Sequence, residues 1–297
     1  MAPGIASAWR REMESARESR RAGLTYWEQR RESRVLVVAA GRGVDLEAAD
    51  LLRCVREHLR AMPSRPLDHL DLVVVGSGLS PEAAARLTAL VREYARELCV
   101  LLGGTAGAGE TLLAAGADAV WMQPAAALTS LLPAEPDRQV EGLCALLASA
   151  PAWEPETWRT LLSSADAATV GRAQHRFDRS RRLLEEQARS RLHPPDEEEV
   201  RALFTTLTRW VGGPGEFVSR WQARGIGALA LLMPTHEDEE VAGELLRAYD
   251  PVLQGHLREG AGCALIESVG RVDGHEAAPG EWQLGGGWAC WPDQGMQ

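Results

Sequence analysis

The segment Cys99–Met122, CVLLGGTAGAGETLLAAGADAVWM, constrains the fold more than any other part of the 297-residue chain. Cys99–Leu102 is an apolar run of the kind that forms a buried strand. Gly103–Gly109 holds four glycines in seven residues. A helix-prone stretch starts abruptly after them, and Ala117–Met122 is a second apolar run. This order predicts strand, tight turn, helix and strand, the βαβ unit of an α/β protein. A turn at the C-terminal end of a strand presents backbone N–H groups and one side chain to a ligand. Here the side chain at the position of a nucleophile is Ala108.

Other segments extend the pattern. Arg34–Ala39 and Leu70–Val75 are apolar runs of strand length. Leu46–Met62 has apolar Ala49, Leu52, Val55 and Leu59 at helical spacing. Pro81–Leu98 reads as a helix, with Ser80 as N-cap and Pro81 at its first position. Val140–Ala148 predicts a crossover helix ending at Ser149–Pro151. The stretches Ala168–Leu192, Asp196–Val211, Gly215–Arg224 and Thr235–Asp250 read as helices, the last capped by Thr235. Ala228–Met233 reads as a short strand or a buried helical turn. The tail from Gly270 is rich in Gly, Pro and Trp and is expected to be loosely structured.

Two families share features with the glycine-rich turn. Gly104–Thr111 fits the phosphate-binding loop G-x-x-x-x-G-K-T except that Glu110 stands at the lysine. That lysine neutralises phosphate charge; a carboxylate there repels it by about 1 kcal/mol even at high dielectric. A second match runs from about Tyr26 to Ile266. Ala106-Gly107-Ala108-Gly109-Glu110-Thr111 is similar to a turn A-H-S-A-x-T. Leu112–Met122 is similar to L-L-A-L-G-A-D-x-I-V-M, and Ala127–Pro133 to L-G-P-I-D-P. Gly76-Ser77-Gly78-Leu79-Ser80 stands where S-x-G-G-D is usual, and Cys263–Ser268 resembles a late strand. In this order the motifs resemble the serine dehydrogenase proteinase family, relatives of signal peptide peptidase A and Clp protease subunits with the ClpP/crotonase fold.

The resemblance implies a ClpP/crotonase-like α/β core with the nucleophilic serine of relatives falling on Ala108. It implies an oxyanion hole of two glycine amides, of which only Gly78 survives because Leu79 replaces the second glycine. The distal His-Gly segment of the family falls near Val211–Glu216, which holds no histidine. All 32 basic residues are arginine. A Ser–Lys dyad is therefore impossible, and arginine does not deprotonate to act as a base. Alanine has no nucleophilic atom for any base to activate. The expected function is that of a catalytically degenerate homologue acting as a binding or assembly subunit. Its vestigial pocket comprises Gly76, Ser77, Gly78, Leu79, Ala106, Gly107, Gly109 and Glu110. One alternative is an active peptidase whose elbow serine was replaced by Ala108, served by a histidine such as His175. Another is a crotonase-like enzyme in which the Gly78 and Gly109 amides polarise an acyl thioester.

Composition narrows the partners. A net charge of −10 disfavours nucleic acid and anionic membrane as main partners. No apolar run reaches the ~18 residues of a membrane span, and the N-terminal residues lack the apolar core of a signal peptide. Cys54, Cys99, Cys144, Cys263 and Cys290 are scattered, as in a reduced cytoplasmic protein. The seven histidines form no metal-ligand pattern. No cofactor or metal is expected, and the acidic runs Asp196–Glu199 and Glu237–Glu240 read as helix-start charges. The implied partners are further copies of the chain or another protein, with a peptide as possible ligand. The expected segments are an N-terminal helical arm (1–33), the α/β core (34–150), a mainly helical segment completing or packing on it (151–258), and a late strand with a Gly/Trp-rich tail (259–297). The arm reads as a solvated helix or an oligomerisation arm. Trp121 is expected in the core or partly filling the cleft.

Overall fold

The structure, a computed structural model, describes residues 12–41, 48–63, 66–132, 138–149, 156, 160, 163, 166–209, 217–253, 262–277 and 289–290. The chain is an α/β protein built on a central, mostly parallel sheet. Strands β1 (Arg34–Ala40), β2 (Leu67–Gly76), β3 (Ala95–Leu102) and β5 (Ala119–Met122) run parallel and adjacent in that order. On the other side of β1 lie β8 (Gly262–Ser268), β9 (Arg271–Ala277) and β10 (Ala289–Cys290), each antiparallel to its neighbour. A second, small sheet joins β4 (Thr105–Ala106), β6 (Ala127–Leu128) and β7 (Val218–Ser219).

Successive side chains of a strand point to opposite faces, and both faces here are apolar. Leu36, Val38, Leu70, Leu72, Val100 and Met122 belong to one buried cluster; Val35, Val37, Val73, Val75, Leu101 and Trp121 belong to the other. Such two-sided burial is what a parallel sheet covered by helices requires. The first cluster is covered by α2 (Ala48–Ala61), α3 (Pro81–Arg92), α4 (Ala108–Ala115), α6 (Ala167–Arg189) and α7 (Glu197–Arg209), while α5 (Arg138–Ser149) packs against α6 and α7. The second is covered by α1 (Arg17–Arg31) and α9 (His236–Arg247). The four-residue helix α8 (Arg220–Ala223) follows β7.

Helix α1 is neither a solvated helix nor a projecting arm. Arg20, Leu24 and Trp27, spaced four and three residues apart, are all buried. Trp27 donates from Nε1 to Asp71 Oδ2 at 2.7 Å and packs on Trp121 with ring centroids 5.2 Å apart. Arg20 Nε lies 2.6 Å from Glu267 Oε2, which also accepts from the Tyr249 hydroxyl at 3.0 Å. Burial, then the Glu267 charge, pushes the Tyr249 hydroxyl well above its ordinary pKa. Trp121 thus sits on the sheet face opposite the glycine-rich turn and does not fill a cleft there.

Two further expectations change, and one open alternative is narrowed. The helix expected over Pro81–Leu98 ends at Arg92, because Ala95–Leu102 pairs with β2 as a strand. The tail is not loose throughout: Arg271–Ala277 pairs along its whole length with β8. Ala228–Met233 is not helical; Leu231 bridges Val120, with Val120 N–H donating to Ala230 O and Leu232 N–H to Val120 O. Val211–Glu216, Trp282, Trp288 and Trp291 lie outside the described residues. Among the described residues no helix is long and apolar enough to cross a membrane.

Breaking a buried ion pair leaves an uncompensated charge, whereas replacing both partners with apolar groups is often neutral. Glu267→Leu alone is expected to lose about 3–5 kcal/mol of stability. Adding Arg20→Met is expected to recover most of that loss. Urea denaturation of both variants checks this.

Candidate functional site

The site lies where the chain leaves the C-terminal ends of β2 and β3, the position at which open parallel sheets present their ligand-binding loops. Gly76 ends β2 with φ +93°, and a Cβ there would sit 2.0 Å from Ala40 O, so the turn requires glycine. Ser77 is exposed, Gly78 half-buried and Leu79 buried. Ser80 then caps α3, its hydroxyl accepting from Ala83 N–H.

The second loop leaves β3 through Gly103 and Gly104 and pairs briefly with β6 as β4. It enters α4 with Gly107 as N-cap and Ala108 as first residue. The helix is fastened at both ends. Thr111 Oγ1 accepts from Thr129 N–H at 3.2 Å, and buried Arg191 donates from Nε to Ala115 O at 2.9 Å. Asp118, just beyond α4, accepts from Arg92, from Leu98 N–H and from Leu192 N–H.

The two loops meet through backbone and one carboxylate. A Cβ at Gly109 would lie 2.1 Å from Leu79 O, so the first turn of α4 presses directly on the β2 loop. Glu110 points back at that loop. Its Oε1 accepts from Gly78 N–H at 2.7 Å and from Leu79 N–H at 2.8 Å. From sequence the Gly78 amide is the surviving half of an oxyanion pair and Leu79 a loss, yet both N–H groups converge. Leucine in place of the second glycine leaves its N–H directed at the same point, because the donor is backbone. Glu110 is 1% exposed, and its Oε2 has no hydrogen-bond partner. A Cβ at Gly107 would come within 2.7 Å of that oxygen. Burial raises the Glu110 pKa above its ordinary value; the amides of Leu79 and Gly78 oppose the shift without cancelling it.

Ala108 is half-buried at the start of α4, beside these groups. The structure therefore brings together Gly76, Ser77, Gly78, Leu79, Gly107, Ala108, Gly109 and Glu110; Ala106 is buried just behind them in β4. Among the described residues no histidine bonds to this site. His69 pairs with Glu97 and His236 with Glu240, while His175 is exposed on α6. Among the described residues no group of three or more His, Cys, Asp or Glu could hold a metal ion. Cys54, Cys99 and Cys144 are buried and form no disulfide among the described residues; Cys144 Sγ donates to Ala173 O, and burial raises Cys54 to about 12 and Cys99 further. A thiol so held is protonated and inert.

A separate polar set was not legible in the sequence. His58 Nδ1 lies 2.8 Å from Ser268 Oγ, and its Nε2 lies 3.2 Å from Asp273 Oδ2 without hydrogen-bond alignment. Arg271 Nε donates to Asp273 Oδ2 at 2.8 Å. Burial lowers the His58 pKa and keeps the imidazole neutral. Burial also raises Asp273, but the adjacent His58 ring and the bonds from Arg271 outweigh it and bring the carboxyl down to about 2. His58, Ser268 and Asp273 are all buried, and none lines the cavities beside His69, Phe204 or Leu232. The set joins α2 to the β8–β9 hairpin.

Comparison with protein-family models and with curated proteins finds no match to the chain.

Two outcomes follow from the packing. Gly109→Ala is expected to destabilise the protein by about 1–3 kcal/mol, the range for overpacking, and thermal unfolding measures it. The pH dependence has a definite sign. The folded pKa of Glu110 lies above its ordinary value of 4.5, so its contribution is fully present below that value and is lost as pH rises through the folded pKa. Wild type is expected to lose stability relative to Glu110→Gln as pH rises from acid to neutral. A relative gain would mean that the amide bonds prevail over burial.

Proposed function

We propose that this chain is a catalytically degenerate member of the ClpP/crotonase-like group, similar to the serine dehydrogenase proteinase family, that works as a binding or assembly subunit. The carrying observation is that Glu110 Oε1 sits on the Gly78 and Leu79 amides, where an acyl oxygen would sit during peptide hydrolysis. Hydrolysis needs a nucleophile and free oxyanion donors. Ala108 supplies no nucleophile, Glu110 occupies the donors, and the chain has no lysine base. The two loop amides still converge on one point, which supports binding an acyl or carboxylate oxygen without cutting a peptide. The same occupancy weighs against a crotonase-like reading, since a thioester oxygen would need the Gly78 amide. Assembly with further copies or another protein belongs to this reading, as does a reducing, cytoplasmic setting suited to three buried thiols.

Denatured casein incubated with the protein and with Ala108→Ser is expected to remain intact in both cases. Cleavage by the chain as written would overturn the reading. Cleavage by Ala108→Ser alone would show that Glu110 yields to substrate and that one missing oxygen atom is the whole defect.

A further inference from the structure

Glu110 fills a place for which its own side chain is poorly provided. One carboxylate oxygen takes two backbone N–H groups at 2.7 and 2.8 Å; the other is buried with no hydrogen-bond partner. A buried, half-satisfied carboxylate is unfavourable unless paired, and nothing cationic offsets it: its shift is set by burial and backbone amides alone. A ligand carboxylate would make the same charge-assisted bonds to the amide pair. The loop that carries the amides comes to the surface at Ser77 and is half-buried at Gly78, while Leu79 is buried. The donors thus lie just below an exposed turn and face an internal occupant that a ligand must displace.

We propose that the Gly78–Leu79 amide pair is a carboxylate-binding site occupied in cis by Glu110, and that a ligand carboxylate competes with Glu110 for it. The proposal rests on reading this pocket as a retained binding site. Its ligand is a carboxylate, carried either by a small acid or by the C-terminus of a peptide. Net affinity is set by competition, because a ligand gains only what exceeds the internal contact it displaces. The neighbouring geometry fixes the shape of the site. Gly107 leaves room for the second oxygen of the carboxylate, and Gly109 holds α4 against Leu79 O so that the donors do not spread.

The atoms that Glu110→Ala removes are one methylene and one carboxylate. Acetate supplies the same group, so it is the probe that should refill the gap. Thermal unfolding of wild type, Glu110→Ala, Glu110→Ser and Glu110→Gln is compared in sodium acetate and in sodium chloride of equal ionic strength. It is repeated with Ala-Ala-Ala and with its C-terminal amide. The serine variant serves if the alanine variant does not fold.

The alanine and serine variants are expected to gain roughly 3 °C or more in acetate over chloride, the shift of a ligand well above its Kd. Wild type and Glu110→Gln, whose side chains still fill the place, are expected to respond equally to both salts. A gain with acetate and with Ala-Ala-Ala but not with its amide supports a peptide terminus as ligand. A gain with acetate alone supports a small acid. Equal response of the alanine and serine variants to acetate and chloride overturns the proposal. Loss of intact Ala-Ala-Ala in the same wild-type samples would instead overturn the non-hydrolytic reading and leave this one standing.

Discussion

The carboxylate of Glu110 joins two loops that the sheet alone does not hold together. Strands β2 and β3 are parallel neighbours, so their C-terminal loops emerge side by side, but parallel pairing ends with Val74 and Leu102. Beyond that point the loops are positioned by Gly109 against Leu79 O and by Glu110 on the Gly78 and Leu79 amides. Each loop then starts a helix, α3 on one side and α4 on the other. The path of both helices over the sheet follows from this junction. Arg191 at the far end of α4 and Thr129 near its start make the arrangement rigid from outside.

The opposite face of the sheet uses polar pins in the same way. Asp71 is 2% exposed, yet it accepts from Trp27, from Ser33 Oγ at 2.8 Å and from Arg31 at 3.2 Å. Glu267 is held by Arg20 and Tyr249. These groups attach α1, at the start of the described chain, to strands β2 and β8, the latter near its end. Apolar burial supplies the drive for such packing but no register. Directed bonds to single acceptors fix where along the sheet the helix lies, and they explain why a helix with only a few buried apolar residues is part of the core.

Much of the sheet is legible in the sequence because its strands are buried on both faces. Val35–Ala39, Leu72–Val75 and Cys99–Leu102 carry no interruption of their apolar character, and glycine marks the exits of β2 and β3. The failures have a common cause. Helix α1 hides its buried face because one of the three residues on it is arginine, whose partner is 247 residues away. Strand β9, RVDGHEA, has the composition of a loop; pairing with β8 and the Arg271–Asp273–His58 contacts make it a strand. Glu110 is visible in the sequence as a carboxylate at the third position of a helix, where it can reach free N–H groups. That those groups belong to a loop 31 residues earlier is a property of the fold. Leu79 carries the same lesson, since a backbone donor survives a change of side chain.

The two polar sites separate the requirements of a reactive centre. His58 with Ser268 and Asp273 has side-chain types suited to nucleophilic catalysis, with a neutral imidazole 2.8 Å from a hydroxyl. It is packed into the seam between α2 and the β8–β9 hairpin, where burial serves cohesion. The elbow has the reverse: loops near solvent, a helix N-terminus and two converging amides, with no nucleophile among them. Reactivity needs access, a nucleophile and donors aimed at developing charge in one place. Here the donors converge at Gly78 and Leu79 but are spent on buried Glu110, Ala108 supplies no nucleophile, and solvent reaches the loop only beside them, at Ser77. On the proposed reading such a site binds acidic or acyl oxygen without acting on it, and the strength of the Glu110 contact sets how much of it is open to a partner.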